Sequence, residues 1–271
     1  MTENNPLIIA VAPNGARHKK ADFAEVPITI NELADTAEQC ANAGATMIHL
    51  HVRNSDETHS LEPNHYQRAL TTVNEAVAER MLVQVTSEAA GKYNAEQQMA
   101  LMLQLSPGFL SVGLREYITD PADVTQFGDF IQTLYGSGSL IQYIIYDAQD
   151  YALYQQLIMN QIIPTDRHSL LVVVGRYLKS APDLDTLTDY ASLLEQIPDS
   201  MICTFGAHSP AILMQCASNG HHVRLGFENS RCMSDDRIAQ SNAELVADFV
   251  TNRIDNRALA DYQSTLRLLG G

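Results

Sequence analysis

The chain has 271 residues, 45% of them hydrophobic, and a formal net charge of −15 from 17 basic and 32 acidic residues. This length is enough for one large core, and the acidic balance argues against a surface that binds nucleic acid or an anionic membrane. The N-terminus lacks the basic region of a secretory signal, and no run reaches the ~18 apolar residues of a membrane helix. We therefore predict a soluble, cytoplasmic protein with no nucleic-acid or membrane partner.

Short apolar runs rich in β-branched residues recur along the chain. The predicted strands are Leu7–Ala12, Met47–Val52, Met81–Thr86, Leu110–Gly113, Leu140–Tyr146, Leu170–Val174, Met201–Phe205 and Val223–Phe227. Near-continuous apolar strands are typical of a parallel sheet covered on both faces. With helical patterns between them, eight strand-then-helix units predict an α/β fold, a (β/α)8 TIM barrel in a single domain over residues 1–271. An open doubly wound sheet is the alternative, although no Gly-x-Gly-x-x-Gly turn follows the first strand.

Helical periodicity fills the intervals between the strands. In ITINELADTAEQCANAGA, Thr29 or Asn31 can cap the start and Gly44 ends the helix. In DPADVTQFGDFIQTLYG, Pro121 is expected in the first helical turn. The other predicted helices are PNHYQRALTTVNEAVAE, NAEQQMALMLQL, DYALYQQLIMNQ, LDTLTDYASLLEQI, SPAILMQCAS, SNAELVADFVTNRI and a short one near ADYQSTLRLL.

The most informative motif is His49-Leu50-His51, at the end of the second predicted strand. Side chains alternate along a strand, so His49 and His51 point the same way and can bind one metal ion. Glu228, at the end of the last predicted strand, offers an oxygen ligand, although it could instead cap a helix or pair with Arg224. Two imidazoles and a carboxylate suit Zn²⁺ with one open position, and the same set could hold Fe²⁺, Co²⁺ or Mn²⁺.

Other polar residues lie at or just after the ends of the predicted strands, where active sites of barrels lie, and Arg224 begins the eighth strand. They are Asn14, Thr86, Ser87, Glu88, Arg115, Glu116, Tyr146, Asp147, Arg176, His208, Arg224 and Asn229. The hydroxyls of Thr86 and Ser87 could equally cap a turn. Glu88 and Glu116 could simply pair with Arg115 or another nearby cation.

Six segments, in this order, resemble the β-keto acid cleavage enzymes: PNGA, VPITINELADTA, AGATMIHLHVRN, QVTSEA, NGHHVRLGFEN and QSNAELVADF. The resemblance runs from about Leu7 to the C-terminal RLLGG. It implies a TIM barrel with zinc held by His49, His51 and Glu228, commonly in a homotetramer. It also implies that a short β-keto acid condenses with acetyl-CoA to give acetoacetate and a new acyl-CoA. The expected route is a metal-stabilised enolate followed by retro-Claisen cleavage.

The same resemblance gives roles to further residues. Thr86 stands at the position of the family's serine and, with Ser87 beside it, would hydrogen-bond the substrate carboxylate. Arg224 would position that carboxylate or tune a neighbouring base, and Asn14 and Glu116 are further substrate-binding candidates. Asn229 stands where many members carry an Asp base, and an amide cannot take a proton at neutral pH. Glu88 is the expected replacement for that base, and Glu116 is the other candidate.

The sequence departs from the family pattern at several other points. Arg17 replaces an acidic residue, and Ile144 replaces a carboxylate that would meet a substrate amine, so Ile144 argues against an amine-bearing substrate. Arg176-Tyr177-Leu178-Lys179 replaces a Gly-rich stretch and Gly206-Ala207 a frequent Gly-Arg, which leaves the CoA contacts open. The alternatives are a metal-dependent hydrolase or lyase without CoA, and a metal-binding protein without catalysis. A basic patch for the CoA phosphates near Arg17, Lys19, Lys20, Arg176 or Lys179 would favour acyl transfer.

Overall fold

The computed structural model of the protein describes residues 5–175 and 181–270. Within these ranges eight parallel strands pair in chain order and close into a barrel through β8 and β1. They are β1 (Ile9–Val11), β2 (Met47–Leu50), β3 (Leu82–Thr86), β4 (Phe109–Gly113), β5 (Leu140–Ile145), β6 (His168–Val174), β7 (Met201–Thr204) and β8 (His222–Leu225). The predicted TIM barrel is confirmed, and each strand lies within two residues of its predicted bounds.

Helices surround the barrel and connect its strands. They are α1 (Ile30–Ala43), α2 (Pro63–Val77), α3 (Ala95–Leu105), α4 (Leu114–Tyr117), α5 (Asp123–Gly136), α6 (Ala148–Met159), α7 (Thr186–Gln196), α8 (Ser209–Ser218), α9 (Asn242–Asn252) and α10 (Tyr262–Leu268), with a 3-10 turn at Ala78–Arg80. None of these helices is both long and apolar enough to cross a membrane.

Local hydrogen bonds set two helix starts. Thr29, not Asn31, caps α1: its hydroxyl accepts from the Glu32 amide, and the Glu32 carboxylate accepts from the Thr29 amide. The expectation for Pro121 was wrong, because α5 begins only at Asp123. The Asp123 carboxylate accepts hydrogen bonds from the Thr119 and Asp120 amides, just before Pro121, which keeps this segment in a turn outside the helix. The one-turn helix α4 was not predicted.

The interior of the barrel changes from apolar to polar along its axis. At the amino ends of the strands, inward side chains such as Met47, Leu82 and Phe109 form a buried apolar cluster. Two residues further along β2 and β3, the inward positions carry His49 and Gln84 instead. The polar groups of the barrel interior are thus concentrated at the carboxyl ends of the strands.

Candidate active site

Three side chains with metal-binding atoms converge at the carboxyl end of the barrel. His49 lies in β2, whereas His51 lies just beyond the end of that strand at Leu50, which corrects its predicted place within the strand. The Nε2 atoms of His49 and His51 are 3.1 Å apart. Glu228 Oε2 lies 3.4 Å from the His51 Nε2 and 3.9 Å from the His49 Nε2. One ligand atom from each residue fits within a span of 4.8 Å.

A close approach between two chain segments delivers Glu228 to this cluster. The turn after β8 packs on the end of β1, where the Glu228 amide donates to the Ala12 carbonyl at 3.1 Å. Gly226 has a φ of 131°, and a Cβ there would collide with the Ala12 backbone. Gly15 has a φ of 56°, and its Cβ would lie 2.6 Å from the Glu228 side chain. Only glycine fits at these two positions, since both need a left-handed backbone and no side chain.

His49 presents an unprotonated nitrogen to the cluster. Its Nδ1 lies 2.7 Å from Gln84 Oε1, and Gln84 is oriented in turn because its Nε2 donates to Gln142 Oε1 at 3.1 Å. This contact places the ring proton on Nδ1 and leaves a lone pair on Nε2. Burial, reinforced by the positive charge of Arg224, lowers the pKa of His49 from its ordinary 6.5 to about 3. The imidazole is therefore neutral at physiological pH, as a metal ligand must be.

Glu228 is ionised although it is largely buried. Burial would raise its pKa, but the positive charge of Arg224 outweighs that effect and holds the pKa well below 4.5. Arg224 Nη2 donates to Glu228 Oε1 at 3.1 Å, whereas Oε2 has no hydrogen-bond partner among the described residues. A buried anionic oxygen facing two nitrogen lone pairs is unfavourable without a cation between them.

The spacing of the three ligand atoms also fits a small divalent cation. Tetrahedral zinc with ligands at about 2.0–2.2 Å places neighbouring ligand atoms roughly 3.3 Å apart. The three observed separations of 3.1, 3.4 and 3.9 Å lie around that value. Two nitrogens and one carboxylate oxygen leave a position free for a substrate oxygen. The residues present therefore fit a catalytic divalent metal site.

A pocket opens beside this cluster, and several of the predicted site residues line it. It is lined by His49, Thr86, Ser87, Glu88, Glu116, Arg224 and Glu228. Ile144, Tyr146, Val173 and Phe205 form a mainly apolar wall on the far side of the same pocket. One pocket therefore joins the metal-binding atoms, several hydroxyls and two further carboxylates to an apolar surface.

The loop after β3 brings a carboxylate to the edge of the cluster. The Thr86 hydroxyl accepts the Glu88 amide at 3.1 Å, so it caps this turn while it lines the pocket, and Ser87 is hydrogen-bonded to the buried Tyr117 hydroxyl. Glu88 Oε2 lies 3.8 Å from His51 Nε2, and its Oε1 lies 3.8 Å from Arg17. Glu88 is thus close to the position where a metal-bound substrate would lie.

The second carboxylate, Glu116, lies on α4. Its Oε2 accepts the Ala89 amide at 2.9 Å, and Gln98, with its amide nitrogen turned inward, donates to the same oxygen at 3.0 Å. Burial, with the neighbouring Glu88 charge adding to it, raises the pKa of Glu116 above 4.5.

The neighbouring arginine on α4 is engaged elsewhere. Arg115 donates to Asp150 and Asp147 at distances of 2.6 to 3.0 Å, and burial of Asp150 makes this a firm contact between α4 and α6. Among the described residues Arg115 forms no ion pair with Glu88 or Glu116, so that part of the alternative explanation is wrong. The other part, a pair with another nearby cation, holds for Glu88, whose Oε1 lies 3.8 Å from Arg17.

Two of the predicted site residues lie elsewhere. Asn14 Nδ2 donates to the carbonyls of Pro27 and His51 at 3.0 and 3.2 Å, so it braces the backbone behind the metal ligands. Asn229 lines a separate small cavity between α8 and α9, where its amide oxygen and nitrogen have no partner among the described residues. Arg176 and Lys179 lie outside the described residues.

Sequence reasoning missed three positions that shape the site. Gln84 orients His49, and Ser111 and Gly113 line the pocket on β4. Strand alternation offered a signal for two of them: Gln84 precedes Thr86 by two residues, and Ser111 is a polar residue inside an apolar strand. The role of Gly113 could not be predicted because it depends on the path of the chain through α4.

The chain is similar to known proteins along nearly its whole length. Residues 6–262 match the beta-keto acid cleavage enzyme family. The chain is 28% identical over 259 residues to a 3-oxoadipate:acetyl-CoA acetyltransferase of Cupriavidus necator, covering 89% of this chain and 86% of that protein. It is also 28% identical over 248 residues to a 3-keto-5-aminohexanoate cleavage enzyme of Fusobacterium nucleatum, covering 89% and 88%.

The solved structure of apo ObcA resembles the chain with a TM-score of 0.72 at 11% identity, over 91% of this chain. At that identity the likeness concerns the fold alone. The match spans 65% of the ObcA chain, slightly less than two thirds of its length.

Proposed function

Because the chain belongs to the beta-keto acid cleavage enzyme family, we propose that it condenses a short β-keto acid with acetyl-CoA to give acetoacetate and a new acyl-CoA. The observation that carries this proposal is the convergence of His49, His51 and Glu228 at the base of a pocket in a chain of this family. Both relatives of known activity act on a β-keto acid, and one is named for its acetyl-CoA co-substrate.

We propose Zn²⁺ as the metal, with Fe²⁺, Co²⁺ and Mn²⁺ as possible substitutes. His49, His51 and Glu228 would hold the ion, which would act as a Lewis acid on the ketone oxygen of the keto acid. Gln84 keeps the His49 ring in the required tautomer and orientation. Arg224 keeps Glu228 ionised through its 3.1 Å hydrogen bond.

The substrate carboxylate is assigned to the groups that face the pocket beside the cluster. Arg224 is buried, and its Nε has no hydrogen-bond partner among the described residues. That N–H can donate to a substrate carboxylate while Nη2 remains on Glu228. The hydroxyls of Thr86 and Ser87 line the same part of the pocket and supply further donors.

Glu88 is assigned the proton transfers. It takes the proton from C2 of the keto acid, and C2 attacks the thioester carbon of acetyl-CoA, displacing the CoA thiolate. The thiolate then adds to the original ketone carbon, the bond between C2 and C3 breaks, and Glu88 returns the proton to C2. Acetoacetate and the new acyl-CoA leave. Asn229 is assigned no proton transfer, since it is an amide in a separate cavity.

The contacts to CoA are assigned to the mouth of the pocket. Arg17 is 63% exposed and lies next to Glu88, so it can meet a phosphate or the thioester arm. Lys19 is exposed on the same loop, whereas Lys20 is held by Glu32 at 2.6 Å. Arg17 and Lys19 are therefore the proposed basic contacts from this loop.

Three further expectations accompany this proposal. We expect one domain over residues 1–271, a homotetramer and a cytoplasmic location. Light scattering on the purified protein measures the oligomer directly, and a mass near four times 29.9 kDa is expected.

The proposed function is tested by metal content together with product formation. Elemental analysis of protein purified without added metal is expected to give about one zinc per chain. His49→Ala should lose it, while His208→Ala, which changes an exposed histidine before α8, should retain it. Acetyl-CoA and a panel of β-keto acids should then yield acetoacetate and acyl-CoA with the wild type only when metal is present. A wild type without stoichiometric metal after reconstitution, or with metal but no acyl-CoA from any keto acid, would refute the proposal.

A further inference from the structure

The proposed reaction places negative charge on two different oxygens. One is the ketone oxygen of the keto acid, which carries the charge of the enolate at the metal site. The other is the thioester oxygen of acetyl-CoA, which takes up the electron pair of its C=O bond when C2 attacks. Two histidines and one carboxylate leave a single open position on a four-coordinate ion, and that position is assigned to the ketone oxygen. The thioester oxygen therefore requires a hydrogen-bond donor from the protein.

The order of the strands determines from which side acetyl-CoA reaches the keto acid. The eight strands pair in chain order and close into a barrel, so β5 lies opposite β1 across the interior. The metal-binding side chains come from β2 and its end and from the turn after β8, and both strands are neighbours of β1. These side chains cover the β1 side of the keto acid. The thioester therefore lies between the keto acid and the β5 side of the pocket.

Tyr146 carries a hydroxyl group on the β5 side of the pocket. It follows β5 directly, and it lines the pocket together with Ile144, since alternate residues of a strand point the same way. A phenol donates a hydrogen bond and keeps its proton at neutral pH, because the ordinary pKa of a phenol is about 10. The chemistry and the place of Tyr146 thus match the donor that the thioester oxygen requires.

Contacts behind the pocket wall hold Tyr146 in place. Asp150 Oδ2 accepts the Tyr146 amide at 2.8 Å and an Arg115 N–H at 2.6 Å, and Asp150 is only 4% exposed. The Arg115 guanidinium carbon lies 4.8 Å from the centre of the Tyr146 ring. The Tyr190 hydroxyl donates to the Tyr146 carbonyl at 3.2 Å. A donor that is fixed before the substrate binds stabilises developing charge without reorganisation in the transition state.

We propose that Tyr146 is a catalytic residue of the acyl transfer, whose hydroxyl donates a hydrogen bond to the thioester oxygen of acetyl-CoA. This inference rests on the proposed function and adds a residue to it. When C2 bonds to the thioester carbon, the electron pair of the C=O bond moves to the oxygen, and the phenol stabilises that anion while keeping its own proton. The C=O bond then forms again, the C–S bond breaks, and CoA leaves as the thiolate. Arg115 and Asp150 are positioning residues, since they act through Tyr146.

Hydrogen exchange at C2 separates enolate formation from acyl transfer. In D2O without acetyl-CoA, the proton transfers at C2 replace its hydrogens by deuterium, which NMR follows. The probe is the β-keto acid of the panel that the wild type turns over fastest. Tyr146→Phe removes only the hydroxyl, so its exchange rate should stay within about twofold of the wild type, with bound metal and the KM of the keto acid unchanged. Its kcat for acyl-CoA formation should fall about a hundredfold to a thousandfold.

Three further variants serve as controls for this separation. Glu88→Gln removes the proposed base and should lose exchange and turnover together. Glu75→Gln changes an exposed carboxylate on α2 and should keep both activities. Tyr151→Phe removes a hydroxyl on α6 that donates to the Gln196 carbonyl, away from the pocket, and should also keep both. Loss of turnover with retained exchange is therefore expected of Tyr146→Phe and of none of these three.

The positioning role of Arg115 is tested in two backgrounds. Arg115→Lys keeps a cation beside the buried Asp150, so the variant should fold, but it loses the planar fork that holds Asp150 and the Tyr146 ring. In the wild type it should lower kcat about tenfold and leave exchange at C2 unchanged. In the Tyr146→Phe background it should lower kcat no further, because the hydroxyl that it positions is already absent. An equal loss in both backgrounds would mean that Arg115 acts independently of Tyr146.

The outcomes separate this inference from the proposed function. A wild type that forms no acyl-CoA from any keto acid refutes the proposed function, and the role of Tyr146 falls with it. A wild type that forms acyl-CoA, with the same kcat in Tyr146→Phe, refutes the role of Tyr146 alone. Equal loss of exchange and turnover in Tyr146→Phe would also overturn it, since the hydroxyl would then support the pocket as a whole.

Discussion

The two sides of the pocket mouth differ in how they are built. The metal side, formed by His49, His51, Arg224 and Glu228, is tied together by direct contacts of 3.1 to 3.9 Å. The acyl side is formed by Ser111, Gly113, Glu116, Ile144 and Tyr146. Glu116 is anchored from behind by the Ala89 amide, and the Ser111 hydroxyl has no hydrogen-bond partner among the described residues.

The two sides also differ in their relation to the family. The metal side matches the family motifs, whereas the acyl side departs from them at Ile144. We therefore expect the proposed activation of the keto group to be shared with the family, and the choice of acyl chain to be set by residues particular to this protein.

The largest effect is expected on the metal side, from Glu228→Gln. The amide cannot neutralise Arg224, which is buried, so the variant leaves an uncompensated charge inside the barrel. Breaking a buried pair in this way should lower the free energy of unfolding by about 3–5 kcal/mol, and bound metal should be lost. Urea unfolding and elemental analysis measure both, with Glu75→Gln expected within about 0.5 kcal/mol of the wild type. Retained stability would mean that Arg224 is solvated or has another counter-charge.

A smaller effect is expected from Gln84→Met, because Gln84 contacts His49 and is not itself one of the proposed metal ligands. Methionine has a similar volume but cannot accept from His49 Nδ1, so the imidazole loses the bond that fixes its tautomer. Metal affinity should fall tenfold to a hundredfold, measured by competition with a chelator. Gln67→Met, on the exposed face of α2, controls for the substitution itself. An unchanged affinity in Gln84→Met would show that the His49 ring is oriented without Gln84.

On the acyl side, Glu116 should make stability depend on pH. Its pKa is raised in the folded state, mainly by burial, so the folded protein binds the proton more tightly than the unfolded chain. The contribution of Glu116 to the free energy of unfolding is fully present below the pKa of this group in the unfolded chain, near 4.5. It is lost as the pH rises through the pKa of the same group in the folded protein. The stability of the wild type relative to Glu116→Gln should therefore fall as the pH rises above about 4.5, as measured by urea unfolding. A difference that stays constant or grows with pH would mean that Glu116 is stabilised as the anion.

The sequence was sufficient for the barrel and the metal side because both depend on local patterns. Strand periodicity predicted all eight strands, and the His49-Leu50-His51 spacing with the family motif around Glu228 predicted the three side chains that converge at the barrel mouth. The acyl side and the place of Asn229 depend on how loops return over the barrel mouth. The helix α4, which places Glu116 over Gly113, has only four residues, too few for a helical pattern to be recognised in the sequence. Asn229 could be assigned to a second cavity only from the packing of α8 against α9.

The smallest effect is expected from substitutions on the two faces of β5, which contributes to the acyl side. Ile144 lines the pocket, whereas Ile145 is buried in the core under the helices. Ile144→Val removes one methyl group from the apolar wall of the pocket. For two keto acids that differ by one methylene, the ratio of their kcat/KM values should then shift several-fold in favour of the longer acid. Ile145→Val should lower the free energy of unfolding by about 1 kcal/mol and leave that ratio unchanged. If both variants shift the ratio equally, chain-length preference reflects the general packing of β5, and the acyl side is not a separate specificity surface.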